Sequence, residues 1–282
     1  MSEMDRTHGG RTLGAKFMVT KEYRRFSEFL DACLRYRYIG LCYGPPGVGK
    51  TLSARHYADW DLIDEYRTFP EPPPRAAETV QCKTALYTPS VANTTNRVEK
   101  ELRISLLDLK HAINWALHLD ADSTLPRHLG LGRNGAGYAE LLIVDEADRL
   151  KTAALEHVRD FYDRSGIGLV LIGMPGIEKR LARYPQLYSR IGFVHEYRTI
   201  SPEEMSFILE RKWEELGLAF SPDDFTDAET MAAIARITGG NFRLLQRLFS
   251  QIERVLEVNS IKTITKEVVD KAREAMVIGP LG

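Results

Sequence analysis

The sequence predicts an α/β core built on a parallel sheet, followed by a small all-helical subdomain. Three observations support this prediction. The segment from Gly44 to Thr51 reads Gly-Pro-Pro-Gly-Val-Gly-Lys-Thr and joins an apolar stretch to a helical pattern. Short apolar stretches then alternate with helical patterns up to about residue 199, which is typical of βαβ units. From Ser201 onward only helical patterns remain.

The composition of the 282-residue chain is ordinary for a globular protein, with 44% apolar and 27% charged residues and a net charge of −1. Any contact with nucleic acid must therefore come from a local group of positive residues. Three scattered cysteines, Cys33, Cys42 and Cys82, are expected to be buried thiols, which fits a reducing cytoplasm. We see no apolar run of membrane-spanning length and no signal-peptide core at the start.

The segment from Gly44 to Thr51 has the spacing G-x-x-x-x-G-K-T of a phosphate-binding loop. Its glycines let successive backbone N–H groups point into one concavity, where a Cβ would crowd a phosphate. The following helix adds its positive end. Lys50 is expected to reach the β- and γ-phosphates, and the Thr51 hydroxyl to bind Mg²⁺. The predicted strand at 39–43 and helix at 52–58 supply the context that this motif needs.

The rest of the core follows from apolar periodicity and turn residues. Thr20 is expected to cap a helix that runs through Arg37, preceded by a polar tail. A proline-rich segment at 69–74 and a glycine-rich segment at 130–137 are predicted to be connections. The other core elements are strands at 84–88, 141–146, 168–173 and 193–197, and helices at 97–119 and through Leu155, Val158 and Phe161.

The C-terminal part begins with a helix start, Ser201-Pro202-Glu203-Glu204, in which a cap precedes a first-turn proline and two acids. Leu216 and Gly217 end that helix. Further helices are predicted at 228–237, 242–258 and 265–277. The predicted organisation is a flexible tail at 1–19, an α/β core at 20–199 and a helical lid at 200–282.

Two acids, Asp145 and Glu146, end the third predicted strand. We expect this strand to lie beside the phosphate-loop strand, so that both acids face the phosphates. Asp145 is then assigned to Mg²⁺ and Glu146 to polarising the attacking water. The alternative is a pair of acids that only solvates a strand end, which a phosphate loop in the same chain disfavours. Asp148 is interpreted as an acid at a helix N-terminus.

Several arginines could respond to the nucleotide. Arg243 follows Gly239-Gly240-Asn241-Phe242 in the first turn of a helix and is expected to lean over a γ-phosphate. Arg180, Arg183 and Arg190 cluster after the fourth strand, and one of them could reach the nucleotide of a neighbouring subunit. Arg190 is our first choice and Arg183 the second. The alternative is that these arginines are solvated on a helix and a loop.

The motifs G-P-P-G-V-G-K-T, L-L-I-V-D-E-A-D and G-G-N-F-R, in this order, resemble those of AAA+ ATPases. The resemblance covers nearly everything from Thr20 onward. It implies a P-loop NTPase core of three αβα layers, a sheet order 5-1-4-3-2, a nucleotide between core and helical lid, and ring or helical oligomers. The stretch from Gly173 to Ile191 is further similar to TniB, TnsC, IstB and Mu B proteins, which are ATP-dependent regulators of DNA transposition. ExeA-like secretion ATPases share much of this pattern.

The resemblance also implies roles for matching residues. It places Mg²⁺ at Thr51 and Asp145, the catalytic glutamate at Glu146 and a nucleotide-sensing arginine at Arg243. One departure is Met174, which stands where a polar residue usually follows the fourth strand, and whose thioether cannot orient a water by a normal hydrogen bond. This predicts slow hydrolysis. The expected nucleotide contacts are Gly44, Pro45, Pro46, Gly47, Val48, Gly49, Lys50, Thr51, Leu52 and Arg243, with catalytic roles for Lys50, Glu146, Arg190 and Arg243.

DNA contacts are expected in the segment after the second strand, to which the resemblance points. Hydroxyl, amide and cationic side chains there suit phosphate groups, and each has an alternative role on a solvated helix face. No base-reading motif is visible, so binding should be independent of sequence and sensitive to salt. The candidate contacts are Thr94, Thr95, Asn96, Arg97, Lys100, Arg103 and, just past the acid pair, Lys151.

The resulting hypothesis is an ATP- and Mg²⁺-dependent regulator of transposition. Its partners would be double-stranded DNA, a transposase, a target-selection protein and further copies of itself, without a membrane. Three alternatives stay open: a replication initiator or helicase loader, an ExeA-like secretion ATPase, and a signalling switch that binds ATP and only protein partners. DNA binding separates the last alternative from the first hypothesis.

Overall fold

The computed structural model describes residues 17–68, 75–119, 137–218, 220–221 and 223–276. The tail up to residue 16, the proline-rich segment and most of the glycine-rich segment lie outside this range. The five strands are β1 (Ile39–Tyr43), β2 (Thr84–Tyr87), β3 (Leu141–Val144), β4 (Gly168–Gly173) and β5 (Ile191–Glu196). The helices are α1 (Lys21–Tyr36), α2 (Lys50–Tyr57), α3 (Trp60–Thr68), α4 (Ala76–Val80), α5 (Thr95–Leu119), α6 (Thr152–Ser165), α7 (Ile177–Leu181), α8 (Pro185–Tyr188), α9 (Pro202–Glu215), α10 (Phe225–Thr238), α11 (Phe242–Asn259) and α12 (Lys266–Glu274).

The five strands form one parallel sheet in the order β2-β3-β4-β1-β5. This confirms the order that the family resemblance implied. The expectation that the acid-bearing strand lies beside the phosphate-loop strand is wrong, because β4 pairs with both β1 and β3 and separates them. The acids still reach the loop, since side chains at the carboxyl edge of a parallel sheet extend beyond the strand ends.

Burial explains why the strands read as continuous apolar runs. Every residue of β2, β3 and β4 is buried, as expected for a parallel sheet with helices on both faces. Edge strand β5 instead alternates between half-buried and exposed residues. The three cysteines are free and buried, which confirms the expectation for Cys33, Cys42 and Cys82.

The apolar side chains form two separate clusters. The larger runs from Phe26 to Tyr197 and surrounds the sheet. The smaller runs from Met205 to Ala272 and is built by α9 to α12. The Ser201 hydroxyl accepts from Glu204 N and the Glu204 carboxylate accepts from Ser201 N, so the predicted helix start is a capping box. The bounds of the core at 20–199 and of the helical lid at 200–282 remain a proposal. The change from the first cluster to the second between Tyr197 and Met205 supports a boundary near residue 200.

Two carboxylates connect the start of α1 to other elements. Glu204 Oε1 accepts from Lys21 N at 2.6 Å and thereby joins the starts of α9 and α1. Glu22 accepts from Arg198 N at 3.2 Å, and His195 Nε2 lies 3.0 Å from its Oε1. Burial raises the pKa of Glu22, but the hydrogen bonds with His195 and Arg198 outweigh it and hold the pKa below the usual 4.5.

The sequence missed four short helices, α3, α4, α7 and α8, which have four to nine residues each. So few turns leave no apolar periodicity to read. The long helix α5 begins two residues earlier than predicted, because Val98 N donates to Thr94 O and closes the first turn. Within the described residues, no helix has the length and apolar character needed to cross a bilayer.

Candidate functional site

The phosphate-loop segment between β1 and α2 has a backbone that few residues other than glycine adopt. Gly47 and Gly49 have φ angles of +79° and +110°, a region that costs an L-residue roughly 1–2 kcal/mol. The loop therefore keeps its shape only with glycine at these positions. The Lys50 ammonium lies against the inside of the loop and donates to Gly44 O at 2.6 Å and Pro45 O at 2.8 Å.

The acid pair lies at the mouth of this loop. The Thr51 hydroxyl donates to Asp145 Oδ2 at 2.6 Å, and Glu146 N donates to Asp145 Oδ1 at 2.9 Å. Burial raises the pKa of Asp145, which is 2% exposed, while these hydrogen bonds act in the opposite direction. Burial also lowers the pKa of Lys50. A buried cation and a buried carboxylate thus face one cleft, where each stabilises the charge of the other.

Glu146 is held by a residue that the sequence did not single out. Its backbone is left-handed, with φ +51°, and its carboxylate forms an ion pair with the Arg149 guanidinium. Arg149 Nη1 donates to Pro89 O, just past β2, at 3.0 Å. The buried Asn93 in turn donates from Nδ2 to Arg149 O at 3.0 Å. The segment after β2 is therefore connected to Glu146 through Arg149, a contact that sequence spacing does not reveal.

The helical region reaches the loop through the start of α11. Asn241 Nδ2 donates to Pro46 O at 2.7 Å, and Arg243 N donates to Gly47 O at 2.9 Å. The Asn241 side chain also caps α11 by accepting from Leu244 N at 3.2 Å. These bonds explain the asparagine of the G-G-N-F-R motif and place Arg243 at the phosphate loop.

A cleft of about 440 Å³ lies between these groups, within the ~300–1,000 Å³ usual for small-molecule sites. Of the predicted nucleotide contacts, Gly44, Pro45 and Val48 do not line it. Residues outside the predicted set that line it include Arg55, Asp148, Arg149, Phe242 and Gln246. The predicted residues that line it are Pro46, Gly47, Gly49, Lys50, Thr51, Leu52, Asp145, Glu146 and Arg243, and Met174, the departure from the family pattern, lines it as well.

A second, mainly apolar pocket adjoins the loop at Val48 and Leu52, with the charged residues Glu22, Arg198 and Glu204 also in its lining. Phe17, Met18, Ile200 and Phe242 also line it. Its volume of about 30 Å³ holds roughly one water molecule, so a larger group would have to move these side chains apart.

A buried hydroxyl pair stabilises α2 from behind the loop. Ser53 Oγ and Tyr197 Oη are 2.7 Å apart, and Tyr197 is 3% exposed. Because Tyr197 follows β5 and its N–H donates to Tyr43 O at 2.7 Å, this contact fixes the helix against the edge of the sheet.

The three arginines after β4 do not reach this cleft in the monomer. Arg190 Nε donates to Asp163 Oδ1 at 2.6 Å. Arg180 donates to the carbonyls of Asp148 and Leu150 and so fixes the turn after β3. Arg183 is exposed and has no ion-pair partner among the described residues. The assignment of a trans-acting arginine to Arg190 or Arg183 therefore stays a prediction.

The candidate DNA contacts lie at the carboxyl ends of the adjacent strands β2 and β3. Thr94, Asn96, Arg97, Lys100 and Arg103 are exposed at the start of α5, and Lys151 is exposed just before α6. The bond from Asn93 to Arg149 O brings these two segments together. Arg97 and Arg103 form exposed ion pairs with Glu101 and Glu99, whereas Lys100 and Lys151 have no ion-pair partner among the described residues. Thr95, the remaining candidate, is half-buried.

Comparison with known proteins identifies the family. The family described as "AAA domain" matches residues 34–181, more than half of the chain. The chain belongs to the AAA family. A Staphylococcus aureus relative described as "Potential ATP-binding protein" is 45% identical over 275 residues, covering 95% of this AAA protein and 99% of the relative. The "Mu-like prophage FluMu DNA transposition protein B" of Haemophilus influenzae is 27% identical over 248 residues, covering 83% and 71%.

Solved structures show the same AAA fold. The Thermotoga maritima RuvB Holliday junction branch migration motor superposes with a TM-score of 0.55 and 19% identity, covering 90% of this chain and 67% of RuvB. The Aeropyrum pernix ORC1 protein in complex with DNA superposes with a TM-score of 0.56 and 20% identity, covering 90% and 64%. At such identities the likeness concerns the fold alone.

The donor set of the cleft fits a magnesium ion shared with phosphate groups. Thr51 and Asp145 supply one hydroxyl and one carboxylate, and Mg²⁺ is usually bound by one or two protein oxygens together with phosphates and waters. The described part of the chain contains no group of three or more His, Cys, Asp or Glu side chains that could hold a metal alone. A nucleotide would thus have to complete such a site.

Proposed function

We propose that this AAA protein is an ATP-dependent regulator of DNA transposition that oligomerises on target DNA, without sequence preference, and recruits or activates a transposase. The observation that carries the proposal is the 27% identity with a DNA transposition protein over 83% of the chain. The connection of the candidate DNA-contacting segment to Glu146 through Asn93 and Arg149 supports it, because a regulator must relate DNA binding to its nucleotide site.

In this proposal the nucleotide site works as a slow hydrolytic switch. The phosphate loop and Lys50 bind the β- and γ-phosphates, and Thr51 and Asp145 would hold Mg²⁺, which supplies positive charge to the phosphate oxygens. Glu146 accepts the proton of the attacking water. Arg243 contacts the γ-phosphate from the start of α11. The apolar pocket lined by Phe17 and Phe242 receives the base after these side chains move apart.

In this proposal, exposed cationic side chains bind the phosphate groups of the DNA backbone. The ion pairs of Arg97 and Arg103 are solvent-exposed and each contributes about 0–1 kcal/mol, so phosphate groups can replace the glutamates. Each phosphate contact releases counterions and makes the slope of the logarithm of the association constant against the logarithm of the salt concentration more negative by about 0.9. Replacing Arg97, Lys100 and Arg103 together with alanine should therefore make this slope less negative by about 3.

The first experiment is binding to random-sequence duplex DNA with ATP, ADP or no nucleotide, followed by sedimentation and negative-stain microscopy. We expect ATP-dependent rings or filaments on DNA, and their loss in Lys50→Ala. Arg164→Ala is a matched control for the three DNA-contact variants, because Arg164 is exposed and pairs with Asp160 four residues away, as Arg103 does with Glu99. ATP binding without DNA association at low salt would contradict the proposal and favour a switch with protein partners.

A second experiment tests the role of hydrolysis. We propose that hydrolysis disassembles the DNA complex, so Glu146→Gln should give complexes that live longer in ATP than those of the wild type. Equal lifetimes would contradict this part. Mixing Glu146→Gln subunits with Arg190→Ala or Arg183→Ala subunits tests the trans-acting arginine. If the replaced arginine acts in trans, the Glu146→Gln subunits supply it to the intact site of the arginine variant, and the mixture should hydrolyse ATP although neither variant does so alone.

A further inference from the structure

Asp148 joins the ends of two neighbouring strands at the cleft. It lies in the short 3₁₀ turn Ala147–Arg149 that follows β3. Its Oδ1 accepts from Met174 N, just past β4, at 3.1 Å. Ligands of open α/β sheets bind at the carboxyl ends of the strands. Asp148 therefore connects two of the strand ends that form the floor of this cleft.

The surrounding backbone is arranged to accept this carboxylate. A Cβ on Gly173 would lie 2.9 Å from Asp148 Oδ1 and 2.6 Å from Ile177 Cδ1, so a larger residue at the end of β4 would displace both groups. Arg180 Nη1 donates to Asp148 O at 2.7 Å and holds the turn itself. An acid that only stabilises a helix N-terminus needs neither contact. The role of a helix N-terminal acid, which the sequence predicts for Asp148, thus explains only part of its setting.

The half-buried Asp148 side chain also lines the cleft, together with Lys50, Asp145 and Glu146. An ionised carboxylate can only accept hydrogen bonds, so it cannot bond to a phosphate oxygen. It can accept from the O–H of a water beside the phosphates. The Met174 side chain offers no comparable group, because its thioether is a weak acceptor.

We propose that Asp148 is a further catalytic residue for ATP hydrolysis: it accepts a hydrogen bond from the attacking water, while the Met174 N–H, which donates to its Oδ1, fixes the orientation of the carboxylate. The inference rests on the proposed ATPase activity. In the reaction, the water oxygen forms a bond to the terminal phosphorus, and the bond from that phosphorus to the bridging oxygen breaks. One water proton passes to Glu146. Asp148 takes no proton and orients the second O–H.

The test compares Asp148→Asn with Asp148→Ala. The asparagine oxygen still accepts from Met174 N, but its NH₂ group cannot accept from a water. We expect Asp148→Asn to keep the thermal midpoint and nucleotide affinity of the wild type while kcat falls about tenfold to 100-fold, the effect of losing one hydrogen bond to a charged group. Asp148→Ala should show the same loss of kcat with a lower thermal midpoint.

A matched control and a rescue separate chemistry from structure. Glu178 accepts from Gly176 N at 2.8 Å in the segment just after β4 but does not line the cleft, so Glu178→Gln should leave kcat unchanged. Adding Met174→Asn to Asp148→Ala supplies a new acceptor after β4 and should restore part of kcat. A purely structural role would not produce this rescue.

Three results would overturn the inference. The first is a wild-type kcat in Asp148→Asn. The second is a parallel fall of nucleotide affinity, thermal midpoint and kcat in that variant, which would indicate a structural role. The third is the absence of ATP turnover by the wild-type protein, which would also overturn the proposed hydrolytic switch. The first two leave that switch intact, so the two failures can be distinguished.

Discussion

The contact between the helical region and the phosphate loop gives the sharpest prediction. Asn241 makes two bonds with different consequences: its Oδ1 caps α11, and its Nδ2 donates to Pro46 O at 2.7 Å. Serine at this position can still cap the helix but has no amide to reach Pro46. Asn241→Ser therefore removes the bond to Pro46 and keeps the cap, whereas Asn241→Ala removes both, and the backbone bond from Arg243 N to Gly47 O stays in each variant.

The expected magnitudes follow from these bonds. Loss of a cap costs about 1 kcal/mol of unfolding free energy, so Asn241→Ala should be less stable than Asn241→Ser by about that amount. Loss of the bond to Pro46, which both variants share, removes about 0.5–1.5 kcal/mol of the free energy that stabilises the loop in this shape. If nucleotide binds the loop in this shape, both variants should bind it about twofold to tenfold more weakly.

Urea unfolding and titration with a fluorescent ATP analogue measure the two effects separately. Asp224→Ala is the matched control, because Asp224 caps α10 by accepting from Thr226 N at 2.8 Å and does not line the nucleotide cleft. It should lose about 1 kcal/mol of stability with unchanged nucleotide affinity. Wild-type affinity in Asn241→Ser would refute the reasoning, since the connection to the loop would then contribute nothing to binding.

Three further predictions concern single contacts. Tyr197→Phe removes a buried hydroxyl pair and should lower the free energy of unfolding by about 1 kcal/mol, measured in urea. Arg149→Ala removes the ion pair with Glu146 and should raise ATP hydrolysis in the absence of DNA, measured as phosphate release, while Arg149→Lys should stay near the wild type. Because its pKa is lowered in the folded state, Glu22 stabilises the fold above pH 4.5, and this contribution is lost as the pH falls through the folded-state pKa. In Glu22→Gln the free energy of unfolding should therefore fall less steeply with decreasing pH below 4.5 than in the wild type, measured by circular dichroism.

Short-range patterns allowed much of the site to be predicted. The phosphate loop, Lys50 and Thr51 follow from eight consecutive residues, because the chemistry of phosphate binding fixes their spacing. The assignment of Asp145 needed only an apolar strand ending in an acid, and its bond to Thr51 places it at the loop. Local spacing could not show that β4 lies between β1 and β3, since strand order depends on long-range packing.

Most of the contacts between elements that sequence reasoning missed join residues far apart in the chain. Pro89 and Arg149 are 60 positions apart, and Pro46 and Asn241 are 195 apart. Neither an arginine after an acid pair nor an asparagine before a helix indicates such a partner. Arg190 shows the same limit, because its spacing suggested a free cation and the fold places it on Asp163. Side-chain partners across elements therefore required the structure.

The two contacts on the cleft share a physical property that suits a switch. Arg149 and Glu146 have side chains that are 36% and 41% exposed, so their ion pair contributes about 0–1 kcal/mol. The bond from Asn241 to Pro46 contributes about as much. A ligand that binds the separated form of either contact more tightly by about 1.4 kcal/mol shifts the equilibrium between the bonded and the separated form about tenfold. Arg149 is also bonded to Pro89 and Asn93 after β2, and Asn241 belongs to α11. In the proposed function, DNA at the segment after β2 and nucleotide at the loop would therefore act on these two contacts without unfolding the buried sheet.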